Sequence, residues 1–400
     1  MSILNLDYTK IRLDDSTSAD SFGRLRVSNT DVLLYDNGYI DNDQIWAQKT
    51  SGSGTLITSN ATNARELGLQ CGTASGDYIY RQTRARLPYI GGESRLCLFS
   101  FNAVIKANFR QRVGLFCHLD GVYLEIENNN VKFVIRNNRT GSVVEKSILR
   151  ANWDDPMNGS GRSGLNLDFT KNTIFFIDLQ WLAMGRVRFG FEVGGVAYVA
   201  HENKSANIDT GVYMGSATLP ARWEAENIGA TASASTFIKV CTSIIKEGNG
   251  RLPGLSYYAS RENSGVTINT TTFAHVLSFR FNPSFIHVYG QFDNIFVQNT
   301  SNSPIEVVLV SNATLSGTSF SATDGNFMQM STAGSFTSGG TKIGGGYLTS
   351  EGLLELDFRN DIRALGFDVD GTTPDVWSLL AAKRGGNANV FAGATFREVY

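Results

Sequence analysis

Val122, Leu124 and Ile126 alternate with Tyr123, Glu125 and Glu127, and after three asparagines Val131, Phe133 and Ile135 alternate with Lys132 and Arg136. A period of two is that of a strand with one face in a core, whereas a helix would scatter the same apolar residues around its circumference. Asn128 to Asn130 predict the turn between the two runs, because asparagine tolerates positive φ. The pattern returns at Val187, Phe189, Phe191 and Val193 against Arg186, Arg188 and Glu192, and Gly194-Gly195 predicts a two-residue hairpin turn into Val196 to Ala200. Arg95 to Phe101, Val113 to Phe116 and Thr173 to Trp181 add short apolar runs. Hairpins this closely spaced, with no long helical stripe between them, predict an antiparallel sandwich or jelly roll. The 41 glycines and 25 phenylalanines suit a chain of many reversals and many strands.

Four hundred residues exceed one ordinary core and suit two domains. Residues 1–45 are polar and weakly periodic, and read as an extended arm. The polar, turn-rich stretch from Lys246 to Gly254 predicts a boundary between a jelly-roll β-sandwich at 46–250 and a smaller β-sandwich at 251–400. In the second domain Ala274 to Phe281, Phe285 to Val288, Ile305 to Val310 and Leu353 to Phe358 read as strands. Residues 332–346, rich in Gly, Ser and Thr, read as a long surface loop. Asp375 to Arg384 suits either a short helix capped by Asp375 and stopped by Gly385 or a strand. A strand leading through Gly385-Gly386-Asn387 into Val390 to Val399, as a closing hairpin, fits a sandwich better and is expected.

A formal charge of −2 argues against a general nucleic-acid binder, which would need an excess of Lys and Arg. There is no run of eighteen apolar residues, and the first fifteen residues lack the basic start and apolar core of a secretory signal. Cys71, Cys97, Cys117 and Cys241 include no CxxC pair, so reduced, buried thiols are expected rather than a metal centre. Gly159, Gly161 and Gly164 spell G-x-G-x-x-G, but a strand-like Leu165 to Phe169 follows where a dinucleotide fold needs a helix, so no cofactor is expected. Seven N-x-[ST] sequons, at Asn60, Asn138, Asn158, Asn203, Asn269, Asn299 and Asn312, read as turn composition rather than glycosylation. Asp368-Val369-Asp370-Gly371 resembles the start of a calcium loop without its later carboxylate and reads as a β-turn, and Asp41 with Asp43 is no stronger.

His118, His201, His275 and His287 form no H-x-x-x-H pair, and no G-x-S-x-G elbow marks a nucleophile. His201-Glu202 is the most enzyme-like pair, read here as a polar strand terminus. The enzymatic rival is glycoside hydrolysis, since jelly rolls often carry paired carboxylates on a concave face. Glu125, Glu127 and Glu192 are the candidates, although their alternation with core residues also fits solvated outward positions. Trp153, Trp181, Trp223, Tyr257 and Tyr258 are candidate sugar platforms, with burial in a core the plainer reading.

Residues 18–28 end in FGRLRVS and resemble the arm motif of a family of virion structural proteins of tailed phages. The resemblance continues through Gly72 to Asp77, Arg81 to Arg84, Arg110 to Gly114, Asp178 to Leu182, Gly185 to Gly190 and Leu219-Pro220, and covers residues 18–250. It implies a concanavalin-like jelly roll and a virion component; it does not imply a catalytic site, and no catalytic, cofactor or metal residue is carried over from it. It also implies other capsid or tail proteins as partners. A homotrimer is expected from the way such appendages are built, and a host surface glycan is a further partner to consider. In the arm, Phe22, Leu25 and Val27 offer apolar anchors, Arg24 and Arg26 can meet a partner's carboxylates, and Gly23 permits a bend. Such an arm can order by adding to a neighbour's sheet edge or groove.

Overall fold

The computed structural model describes residues 30–38, 40–58, 66–247, 254–359, 361 and 363–399. Two hydrophobic cores organise them, one drawn from Leu34 to Ile244 and the other from Ala259 to Phe396. Each lies between two antiparallel sheets. The architecture is all-β.

In the first sandwich, one sheet of eight strands runs in the order Val196–Asn203, Val187–Val193, Thr173–Leu179, Arg95–Asn102, Ser235–Glu247, Leu67–Cys71, Thr55–Thr58, and Thr30–Asp36 also pairs with Ser235–Glu247. The facing sheet of seven runs Val144–Leu149, Asn130–Asn137, Gly121–Glu127, Phe109–Phe116, Ala221–Asn227, Tyr78–Thr83, Trp46–Ser51. The alternating runs set the inward faces. Phe99, Phe175, Phe189 and Phe191 meet Val113, Leu124, Phe133 and Trp223, all buried. Phe133 is the hub: its ring stacks on Trp153 at 4.0 Å and on Phe189 at 4.5 Å between centroids.

The reversals read from sequence are present. Glu127 pairs with Asn130 across Asn128-Asn129, with Asn128 at φ 53°, and Val193 pairs with Val196 across Gly194-Gly195. The G-x-G-x-x-G stretch is a loop in which Gly159 N–H donates to Leu165 O at 2.8 Å and Asp155 Oδ2 accepts from Ser163 N–H at 2.8 Å. Cys71, Cys97 and Cys117 are buried free thiols and Cys241 is half-buried. Burial pushes the Cys71 thiol up to about 12.

Three expectations need correction. The arm cannot extend to residue 45, because Thr30–Asp36 is a strand paired from Thr30↔Glu247 to Asp36↔Thr242. Its Asp36 also reaches the buried Lys239 ammonium. The 332–346 stretch is not a loop throughout: Ser335–Ser338 pairs with Thr314–Ser316, and Thr341–Leu348 pairs with Ile305–Ser311. Backbone bonding at a sheet edge needs no apolar alternation, so those strands left little trace in sequence. Val376–Lys383 is a strand, but it forms no hairpin with Ala388–Val399. The former lies between Ala274–Phe281 and Ile305–Ser311, the latter between Leu255–Ser260 and Tyr289–Asn299, in the opposite sheet of the second sandwich.

The two sandwiches meet largely through residues 366–375. Phe367 N–H donates to Arg84 O at 3.2 Å, Arg222 Nη1 donates to Val369 O at 2.8 Å, and Arg84 pairs with Asp375 at 2.7 Å. A Cβ on Gly366 would lie 2.0 Å from Arg84 O, so only glycine permits this approach. The Asp368–Gly371 segment is the expected turn, closed by Gly371 N–H to Asp368 O at 3.1 Å, and it is the part of the second sandwich that presses on the first.

Candidate functional site: the polar face of the seven-stranded sheet

With Val113, Leu124, Phe133 and Trp223 facing the core, the intervening residues face outward on the seven-stranded sheet. Cross-strand register brings Arg112 opposite both Glu125 and Glu224. Arg112 Nε donates to Glu125 Oε2 at 2.6 Å, and its Nη1 donates to Glu224 Oε2 at 3.0 Å. Lys132 adds a contact to Glu125 Oε1 at 2.8 Å, and Arg222 Nε donates to Glu224 Oε1 at 2.6 Å. To one side Arg136 Nε and Tyr123 OH both donate to Glu145 Oε1 at 2.9 Å. To the other, Arg110 pairs with Glu226 at 2.6 Å.

This face is outward but not solvated. Glu125 is 2% exposed and Glu224 3%. Burial pushes the Glu224 carboxyl up, but the Arg222 and Arg112 guanidiniums outweigh it and hold the group at about 2. Glu125 is likewise lowered, burial being outweighed by Arg112 and Lys132. Charge-assisted bonds of this kind favour the ionised carboxylate.

The chemistry available here is therefore narrow. Glycoside hydrolysis needs one carboxyl that keeps its proton near neutral pH and delivers it to the leaving oxygen. Glu125 and Glu224 are both ionised acceptors on one guanidinium, so they cannot supply that acid. The face is suited to holding five strands in register.

The other sequence candidates do not assemble with them. Glu127 is half-buried near the end of the Glu125 strand. Glu192 follows core-facing Phe191 on the eight-stranded sheet, which puts it on the opposite outer face of the sandwich. The expectation of three solvated carboxylates is thus corrected for Glu125, whose outward position is sealed by its neighbours. Glu224 was missed, although Ala221, Trp223 and Ala225 alternating with Arg222, Glu224 and Glu226 carried the same period-two signal.

His201 has Nδ1 3.3 Å from Asp154, and Glu202 is engaged by Lys204 at 3.0 Å and by Arg186. Trp153 and Trp223 are core residues, Trp181 and Tyr257 are half-buried, and Tyr258 is 54% exposed, stacked on Phe296 at 5.8 Å. Asp41 pairs with Arg81, and Asp43 O accepts from Arg84 Nε at 2.5 Å. Among the described residues no group of three or more His, Cys, Asp or Glu could hold a metal ion, and no helix is long and apolar enough to cross a membrane. Phe22, Gly23, Arg24, Leu25, Arg26 and Val27 lie outside the described residues.

No family model and no curated protein matches the chain. Solved structures similar to it include a legume lectin-like domain from Entamoeba histolytica, with TM-score 0.32 and 9% identity over 53% of this chain and 96% of that one. Others are a Bacillus licheniformis β-glucanase (TM-score 0.35, 10% identity, 54% and 97%) and a β-1,3-glucanase from Mycobacterium marinum (TM-score 0.36, 11% identity, 54% and 98%). Likeness at this level does not bear on what the chain does.

Proposed function

We propose that this chain is a non-catalytic structural component of a tailed-phage virion, a capsid decoration, head-fibre or tail-associated protein anchored through the segment that precedes Thr30. The clamp of Arg112 between Glu125 and Glu224 carries the non-catalytic half of this reading, since it spends both buried carboxylates on holding strands together. The virion half is supported by the FGRLRVS motif at 22–28 and its companion motifs. Other capsid or tail proteins are the proposed partners, and the proposed assembly is a homotrimer. Binding of a host surface glycan is a second reading, favoured by the exposed Tyr258 ring stacked on Phe296.

Two truncations test the anchoring. Removing residues 1–29 should leave the melting temperature unchanged and abolish incorporation into particles, read by mass spectrometry of purified virions. Removing residues 1–45 should also destabilise the fold by several kcal/mol, because it strips the Thr30–Asp36 strand and leaves Lys239 buried without Asp36. Particles that carry the 1–29 deletion at wild-type levels, or that lack the full-length protein, would refute the reading.

A further inference from the structure

The contact between the sandwiches holds a cluster of basic groups that stability alone does not explain. Arg86, 1% exposed, donates through Nε to Ile286 O of the second sandwich at 3.0 Å, but neither of its terminal nitrogens has a hydrogen-bond partner. A buried guanidinium left this way is costly. His118 Nδ1 is also buried and unpartnered. Both groups close on the Asp368–Gly371 turn: a Cβ on Gly371 would lie 2.9 Å from His118 Cε1 and 3.5 Å from Arg86 Nη2.

We propose that this junction is an acid-released clasp, opened when the His118 ring takes a proton beside Arg86 and Arg222, where the one carboxylate facing it, Asp370, is already engaged by Lys49.

The charged groups around the ring fix the direction. Arg86 and Arg222 face it from the first sandwich and His287 from the second, and all three disfavour a positive His118. Asp370 acts the other way, but its carboxylate already holds Lys49 at 2.7 Å. Asp368 faces Arg86, and its side chain accepts from Thr372 N–H at 2.8 Å and Thr372 OH at 3.0 Å. Asp120 of the first sandwich sits 3.4 Å from His287 Nε2 and is engaged there rather than at His118.

Consistent with this, burial and then Arg86 and Arg222 push the His118 ring down to about 4. A ring freed by opening returns to its ordinary value near 6.5. The closed form binds fewer protons, so its advantage is complete above pH 6.5 and is lost as pH falls toward 4. At pH 5 the closed-to-open ratio drops by about 20-fold relative to pH 7.

Small-angle scattering of the full chain at pH 7.5 and 5.0, with near-UV circular dichroism to report on each core, tests this. The expected result is a reversible increase in radius of gyration at pH 5.0 with both cores intact. His118→Gln should stay compact at pH 5.0, whereas His275→Gln, altered inside the second sandwich, should open like wild type. Asp370→Asn, which removes the Lys49 contact, should move the midpoint to higher pH. A wild-type radius unchanged at pH 5.0, equal opening in His118→Gln, or an unmoved midpoint in Asp370→Asn would overturn the proposal.

Discussion

Arg112→Met should lower the free energy of unfolding by about 3 kcal/mol at neutral pH, the lower end of what breaking a buried ion pair costs. The side chain is nearly isosteric, so packing is retained while two buried carboxylates lose one guanidinium. Each keeps a second partner, Lys132 for Glu125 and Arg222 for Glu224, which is why the loss is not larger. The deficit should depend on pH. Glu224 is held at about 2 in the folded protein, below its ordinary value, so its contribution is present above about pH 4.5 and is lost as pH falls toward 2. Wild type and variant should therefore converge in acid. Urea unfolding at pH 7 and pH 3 checks both parts, and a deficit under 1 kcal/mol at pH 7 would mean that the clamp does not hold the sheet.

Phe133→Ala should cost about 3–5 kcal/mol, the range for removing a large buried aromatic. The ring lies between Trp153 and Phe189 and also stacks near Phe175, at 5.9 Å, and Phe191, at 6.1 Å. Its loss opens a cavity that strands of two sheets cannot close without breaking register. The denaturant midpoint should fall with an unchanged slope, and the near-UV signal of Trp153 should weaken. A cost near 1 kcal/mol would mean that the two sheets are free to collapse onto the gap.

Particular residues show how far the sequence reaches. The hairpin from Gly121 to Asn137 was legible because Val122, Leu124, Ile126, Val131, Phe133 and Ile135 keep a period of two and asparagines mark the turn. The edge strand Thr341–Leu348 was not, since Gly344 to Gly346 bring no side chains to alternate. Thr30–Asp36 was read as arm because its fit is decided by the far end of Ser235–Glu247, late in the chain. Alternation placed Glu125 on the outward face, but whether that face is wet depends on Arg112 and Glu224 from other strands. His118 and His287 looked scattered, and only the docking of the two sandwiches brings them together. Local pattern gives the strands, and long-range pairing decides what their polar faces become.

Release of reducing ends from polysaccharide tests the non-catalytic proposal most directly. The purified full chain, incubated from pH 6 to 8 with the host's surface polysaccharide, should release no more than a buffer control, because guanidinium and ammonium partners hold Glu125 and Glu224 below their ordinary carboxylate value. Release above the control would contradict it, and loss of that release in Glu224→Gln or Glu125→Gln would place the chemistry on this face.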